Sequence, residues 1–104
     1  LASASQNALI VLRRLGIEHY FDYIADASKI KLNKPHPEIF LTVASYLNVE
    51  PNACVGIEDA YAGIQSIKAA GMTAIGIGHE TQLLGADKLY PSLSELKMTD
   101  ILSF

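Results

Sequence analysis

The apolar positions of this chain fall into blocks with two different periods. Between Gln6 and Leu15, the residues Ala8, Leu9, Val11, Leu12 and Leu15 recur at helical spacing, with Arg13 and Arg14 outside the stripe. Ser5 stands where it can cap such a helix, and Gly16 where it can end one. Phe21 to Ala25 reads as a short strand, and Asp26 to Asn33 as polar, irregular chain. A second helix is predicted from Pro37 to Leu47, with Phe40, Val43, Ala44 and Leu47 inward. Proline suits a first helical turn because its missing N–H has no partner to lose there. Asn48 to Asn52 reads as a loop. Ala53 to Ile57 is almost continuously apolar, as expected of a parallel strand covered on both faces. Tyr61 to Ala70 follows as a helix with Ile64 and Ile67 inward and Gly71 as its stop. Thr73 to Ile77 and Lys88 to Tyr90 read as strands, and Ser92 with Glu95 fits a capping box for a last short helix.

Strands and helices therefore alternate, which predicts an α/β fold: a Rossmann-like parallel sheet with helices on both faces. The 104 residues suffice for one small domain and show no repeat or linker. Half of them are hydrophobic and 18% are charged, so the chain is globular rather than disordered. A net charge of −3 without a basic stripe argues against a nucleic-acid partner. No apolar stretch approaches the ~20 residues of a membrane span. The single cysteine, Cys54, excludes a disulfide within the chain and predicts a reducing, cytoplasmic location. Cys54 itself lies in an apolar run and reads as a small core residue.

Three separated stretches could carry chemistry. In an open parallel sheet, ligands bind beyond the carboxyl ends of the strands, and all three have that address. Ser3, Ala4, Ser5, Gln6 and Asn7 follow Leu1-Ala2, which reads as the tail of a strand. Their hydroxyls and backbone N–H groups suit a phosphate at a helix start, although Ser5 acting only as a cap explains them equally. Lys34 precedes Pro35-His36-Pro37, a bracket that stiffens the loop. Its ammonium would neutralise a phosphoryl oxygen or a carboxylate; the alternative is a solvated loop lysine, as expected for Lys29 and Lys31. Glu58 and Asp59 are adjacent acids at the end of a buried strand. A hard cation such as Mg²⁺ relieves their repulsion, while Asp59 could also serve as a helix cap. His36 and His79 have no partner spacing for zinc. His19, Tyr20 and Phe21 are expected to cover a helix–strand corner. Gly76-Ile77-Gly78 suits a strand exit rather than a dinucleotide fingerprint.

In this order and spacing, Leu1-Ala2-Ser3-Ala4-Ser5-Gln6-Asn7-Ala8, Lys34-Pro35-His36-Pro37-Glu38-Ile39-Phe40 and Gly56-Ile57-Glu58-Asp59-Ala60 resemble the haloacid dehalogenase superfamily of phosphotransferases. Within it, the Ala-Ser-Ala-Ser-x-Asn string is similar to the β-phosphoglucomutase branch. The resemblance continues through Ala62-Gly63-Ile64 and Ala69-Ala70-Gly71-Met72 to Gly76-Ile77-Gly78. It implies that Ser3, helped by the backbone around Ala4, holds the transferring phosphoryl group. Lys34 is implied to bridge that group and a nucleophilic carboxylate, and Glu58 and Asp59 to hold Mg²⁺. Ser5, Gln6 and Asn7 would hold the other phosphate of a small-molecule sugar phosphate, with Gln6 where a basic residue is common.

Members of this family begin with a strand ending in Asp-x-Asp, followed by a helical cap. The aspartates here are Asp22, Asp26, Asp59, Asp87 and Asp100, and none forms such a pair. Residues 1–104 are therefore expected to be the C-terminal part of one core domain, lacking the central first strand, the nucleophile and the cap. Alone it is expected to be inactive and to need the N-terminal half. The implied parent enzyme interconverts β-D-glucose 1-phosphate and glucose 6-phosphate through an aspartyl-phosphate and a bisphosphate. A sugar-phosphate phosphatase, or a non-catalytic module on the same fold, are the other readings.

Overall fold

Three chain reversals share one device. Helix α1 (Ala8–Leu15) ends at Gly16, whose φ of 70° lets the N–H groups of Gly16 and Ile17 return to the carbonyls of Arg13 and Leu12. Helix α2 (Glu38–Tyr46) is closed in the same way by Asn48, at φ 57°. Helix α3 (Tyr61–Ala69) is closed by Gly71, with Met72 donating back to Ile67. The computed structural model describes all residues except Ala4, Gln6, Asp26 to Ser28, Glu80 and Phe104. The expected start of the first helix at Gln6 thus lies outside the described residues.

Three strands, β1 (Val55–Glu58), β2 (Thr73–Ile77) and β3 (Lys88–Tyr90), form a parallel sheet in that order. β1 pairs with β2 from Val55 opposite Thr73 to Glu58 opposite Gly76; β3 pairs with β2 from Lys88 opposite Ile75 to Tyr90 opposite Ile77. Parallel neighbours require a crossover, and α3 supplies it between β1 and β2. The helix lies close to the sheet because the strands are thin beneath it. Gly56 stands in register with Ala74, and a Cβ at Gly56 would overlap the Ile67 side chain. Ile64 and Ile67 are fully buried there, and α2 packs on α3 through Ile39, Phe40 and Ala44.

Several expectations need correction. Ser5 is not the residue preceding α1; Asn7 is, and its side chain makes no capping bond. Ser5 Oγ instead accepts the Asn7 N–H at 3.2 Å. Only Leu12 of the α1 stripe is buried, while Leu15 is 64% exposed. Periodicity creates an apolar face, but burial needs a partner, and among the described residues the main packing of α1 is on the turn at Glu18–Tyr20. Tyr20 and Phe21 are exposed rather than covering a corner.

Residues 21–25 form no strand. They pair with a single residue: Leu1 donates to the Tyr23 carbonyl at 2.7 Å and accepts from Ala25 N–H at 2.9 Å, the bonding pattern around one residue of a parallel pair. On α2, Leu47 is exposed and Ile39 takes the inward place. Residues 51–53 form a 3₁₀ turn, so β1 starts two residues later than expected. Ile57 on β1 is 40% exposed, so both-face burial fails at that position. Ser92 and Glu95 bound a 3₁₀ turn, and the last helix, α4 (Met98–Leu102), is held by Asp100 accepting from Lys97 N–H at 2.9 Å.

Asp87 fastens this sheet from its edge. Its carboxylate accepts the Ala74 N–H at 2.7 Å and the Lys68 ammonium at 2.9 Å, joining the entrance of β3 to β2 and to the end of α3. The bond from Ala74, and then Lys68, hold its pKa below the ordinary aspartate value of 3.8. A carboxylate with a lowered folded pKa adds stability above the unfolded value and loses it as pH falls through the folded one. Asp87→Asn should therefore flatten the fall in unfolding free energy below about pH 4. At neutral pH it should cost about 1 kcal/mol, because the side chain is partly solvated. Urea titrations of both proteins from pH 2.5 to 7 check this; parallel pH profiles would exclude it.

Candidate active site

The end of β1 delivers Glu58 and Asp59 to the start of α3. There the chain turns through Ala60, which is extended and precedes the helix without a side-chain cap. Asp59 is thus not a cap; it is exposed, and its carboxylate makes no hydrogen bond or ion pair among the described residues. Glu58 lies over the first turn of α3. A Cβ at Gly63 would overlap its carboxyl group, so α3 admits the acid only because residue 63 has no side chain. Both oxygens are useful in that position: Oε1 is paired with Lys34, and Oε2 lies beside Gly63.

Lys34 reaches this point from the loop before α2. Its ammonium forms the ion pair with Glu58 and donates to the Ala2 carbonyl oxygen at 3.4 Å. It also lies 5.3 Å from the centre of the Phe40 ring. The two charged side chains are 21% and 12% exposed, so the pair is mostly withdrawn from water. Loss of either partner would leave a poorly solvated charge. Lys29 and Lys31, by contrast, are exposed as expected.

Ser3 follows Ala2 and so enters the same neighbourhood. Its Oγ accepts the Ser5 N–H at 3.2 Å. Ser5 and Asn7 continue away from it as an exposed turn into α1. Ala4 and Gln6 lie outside the described residues. The structure thus gathers three distant stretches, 2–3, 34 and 58–59, at one edge of the sheet. Among the described residues no three His, Cys, Asp or Glu side chains form a metal cage. Two carboxylates nevertheless fit Mg²⁺, which takes one or two acids and completes its shell with phosphate and water oxygens.

The chain matches the model of haloacid dehalogenase-like hydrolases over residues 2–71, a span that includes every stretch just described. It belongs to the haloacid dehalogenase-like hydrolase family. The resemblance to β-phosphoglucomutase within that family also holds. The enzyme of that name from Bacillus subtilis is 48% identical over 98 residues, covering 94% of this chain and 43% of that protein. A fructose-1-phosphate phosphatase from Escherichia coli is 44% identical over 75 residues, covering 72% of this chain and 40% of that protein. The crystal structure of β-phosphoglucomutase from Clostridium difficile superposes with a TM-score of 0.96 at 51% identity, over 99% of this chain and 46% of that one. The chain thus spans less than half the length of these relatives.

Two residues beside these stretches escaped the reading of the sequence. Gly63 lies in the run Ala62-Gly63-Ile64, and its role is visible only once Glu58 folds over α3. Ser66 is a hydroxyl on the inward face of α3, flanked by Ile64 and Ile67, and that mismatch was the available signal.

The Gly63 contact has a sign that can be measured. Alanine is the better helix former by about 1 kcal/mol, yet here its methyl group meets Glu58. Gly63→Ala should destabilise the protein by about 1–3 kcal/mol. In a Glu58→Ala background the same change should be neutral or stabilising. Denaturant midpoints of the four proteins of this cycle test the coupling, which vanishes if Gly63 makes room for something else.

Proposed function

We propose that this chain carries the phosphate-holding and charge-compensating part of a Mg²⁺-dependent phosphoryl-transfer site for sugar phosphates, as in β-phosphoglucomutase. The observation that supports this best is the setting of Lys34. A cation held between a backbone carbonyl and a carboxylate, beside a serine and a second acid, is what phosphoryl transfer asks of a scaffold. The reaction needs charge neutralisation and positioning more than covalent help.

In this reading each residue has a defined task, and Glu58 has two. Ser3 Oγ already accepts a backbone N–H, so its own O–H remains to donate to a phosphoryl oxygen. Lys34 neutralises a second oxygen, and its bond to the Ala2 carbonyl fixes the ammonium relative to Ser3. Glu58 holds Lys34 with Oε1 and offers Oε2 to the metal; Asp59 supplies the other metal-binding carboxylate. Bound Mg²⁺ adds positive charge at the transferring group and orients its oxygens. Ser5, Gln6 and Asn7 take the phosphate that is not transferred. The attacking carboxylate and the substrate-selecting cap are assigned to a segment N-terminal to Leu1, so the 104 residues alone should turn over no substrate.

The reaction assigned to the whole protein is interconversion of β-D-glucose 1-phosphate and glucose 6-phosphate through the bisphosphate. A second reading is a phosphatase releasing phosphate to water. It is favoured by relatives named as phosphatases of fructose 1-phosphate, hexitol phosphates and phosphorylated carbohydrates.

The complete gene product, assayed with Mg²⁺ on β-glucose 1-phosphate, should form glucose 6-phosphate only when primed with a bisphosphate. Phosphate release without priming would select the phosphatase. Chelation of Mg²⁺ should abolish either activity, and Asp59→Asn should lower turnover about a hundredfold while weakening Mg²⁺ binding measured by calorimetry. Full activity in Asp59→Asn, or in chelator, would overturn the site. Absence of any Mg²⁺ or phosphate binding would leave the non-catalytic module.

A further inference from the structure

Ser66 is fully buried among Ile64, Ile67 and Ala70, although nothing in helix packing calls for a hydroxyl there. Its Oγ does not turn back to its own helix. It donates to the carbonyl oxygen of His36 at 2.7 Å, across 30 residues of sequence. His36 lies two residues beyond Lys34, in the loop that brings the ammonium to the site. Ser66 and Gly63 are three apart on α3 and so share a side of the helix. One admits the Glu58 carboxyl, and the other grips the loop that carries the partner of Glu58.

We propose that Ser66 is a positioning residue: through the His36 carbonyl it sets the loop that delivers Lys34 to Glu58. The physical case rests on where the alternatives lead. The His36 carbonyl faces the helix, so without the hydroxyl it loses its partner there and must move toward water or remain unsatisfied. Movement of the loop carries Lys34 with it, since Pro35 stiffens the connection between them. Among the described residues, Lys34 is otherwise held by the Glu58 pair, the Ala2 carbonyl and the Phe40 ring. The inference rests on the proposed role of Lys34 in phosphoryl transfer only for its catalytic consequence, not for its geometry.

The experiment uses the complete gene product with ¹³C-labelled lysine. The Lys34 methylene signal, assigned by its loss in Lys34→Met, should be displaced by the ring current of Phe40, over which the side chain ends. In Ser66→Ala it should move toward the position of an exposed lysine, and turnover should fall about tenfold with KM little changed. Ser66→Thr, which keeps the hydroxyl, should retain the native signal. Ile67→Val, a comparable loss of packing on the same helix, should leave both the signal and turnover near native. If Ser66→Ala does not fold, Ser66→Cys, a much weaker donor of similar size, is read in its place. An unmoved Lys34 signal in Ser66→Ala overturns the proposal, as does an equal displacement in Ile67→Val. A displaced signal in a protein that transfers no phosphoryl group supports the positioning role and refutes the function proposed for the site.

Discussion

Lys34 and Glu58 are 24 residues apart in the chain and meet with most of each side chain withdrawn from water. Such a pair contributes little to net stability, since desolvation opposes the attraction, but either member alone is costly. The fold around it consists largely of devices that keep both ends in place. β1 ends in Glu58, and Gly63 leaves room for its carboxyl. Gly56 lets α3 approach the strand closely enough for that contact. On the other side, α2 places Phe40 beneath the ammonium, and Ser66 ties the preceding loop to α3. The pair is thus less a source of stability than the point at which α2, α3 and β1 must agree.

Much of this was legible in the sequence because it depends on local rules. Thr73–Ile77 and Lys88–Tyr90 form strands where their apolar runs predicted them, and Gly16 and Gly71 end helices where a left-handed residue is required. Lys34, Glu58 and Asp59 could be singled out because charged residues beside proline brackets or buried strands need an explanation. What remained illegible depends on the partner rather than on the residue. The α1 stripe has ideal periodicity and stays largely exposed, because a hydrophobic period specifies a face and not what covers it. Phe21 to Ala25 has the composition of a strand but among the described residues pairs only with Leu1, and a strand exists only by its neighbours. Asn48 was read as loop, though it does for α2 what glycine does for α1 and α3.

The same distinction applies to chemistry. Adjacent acids predicted shared metal duty for Glu58 and Asp59, yet the fold separates their surroundings. Glu58 is enclosed and paired with a cation; Asp59 is exposed and unpaired among the described residues. Two acids adjacent in sequence thus stand in different surroundings, Glu58 beside Lys34 and Gly63 and Asp59 in solvent. In the proposed reading Glu58 divides its two oxygens between the lysine and the metal while Asp59 offers its carboxylate to the metal alone, and two such acids suit an ion that retains water and phosphate oxygens.

The distribution of identity also constrains where specificity resides. This stretch is 48% identical to a β-phosphoglucomutase and 44% identical to a fructose-1-phosphate phosphatase. A mutase must pass the phosphoryl group to a sugar hydroxyl, a phosphatase to water. Binding and neutralising the phosphoryl group is common to both, and Ser3, Lys34 and Asp59 are suited to that common step. Choosing between acceptors requires admitting a sugar and excluding water, which is a matter of enclosure. The described site lies at an open sheet edge beside an exposed α1, and nothing in it encloses a sugar. In the proposed reading, the choice of acceptor is therefore assigned to parts of the protein other than Ser3, Lys34 and Asp59, whose chemistry serves the step that mutase and phosphatase share.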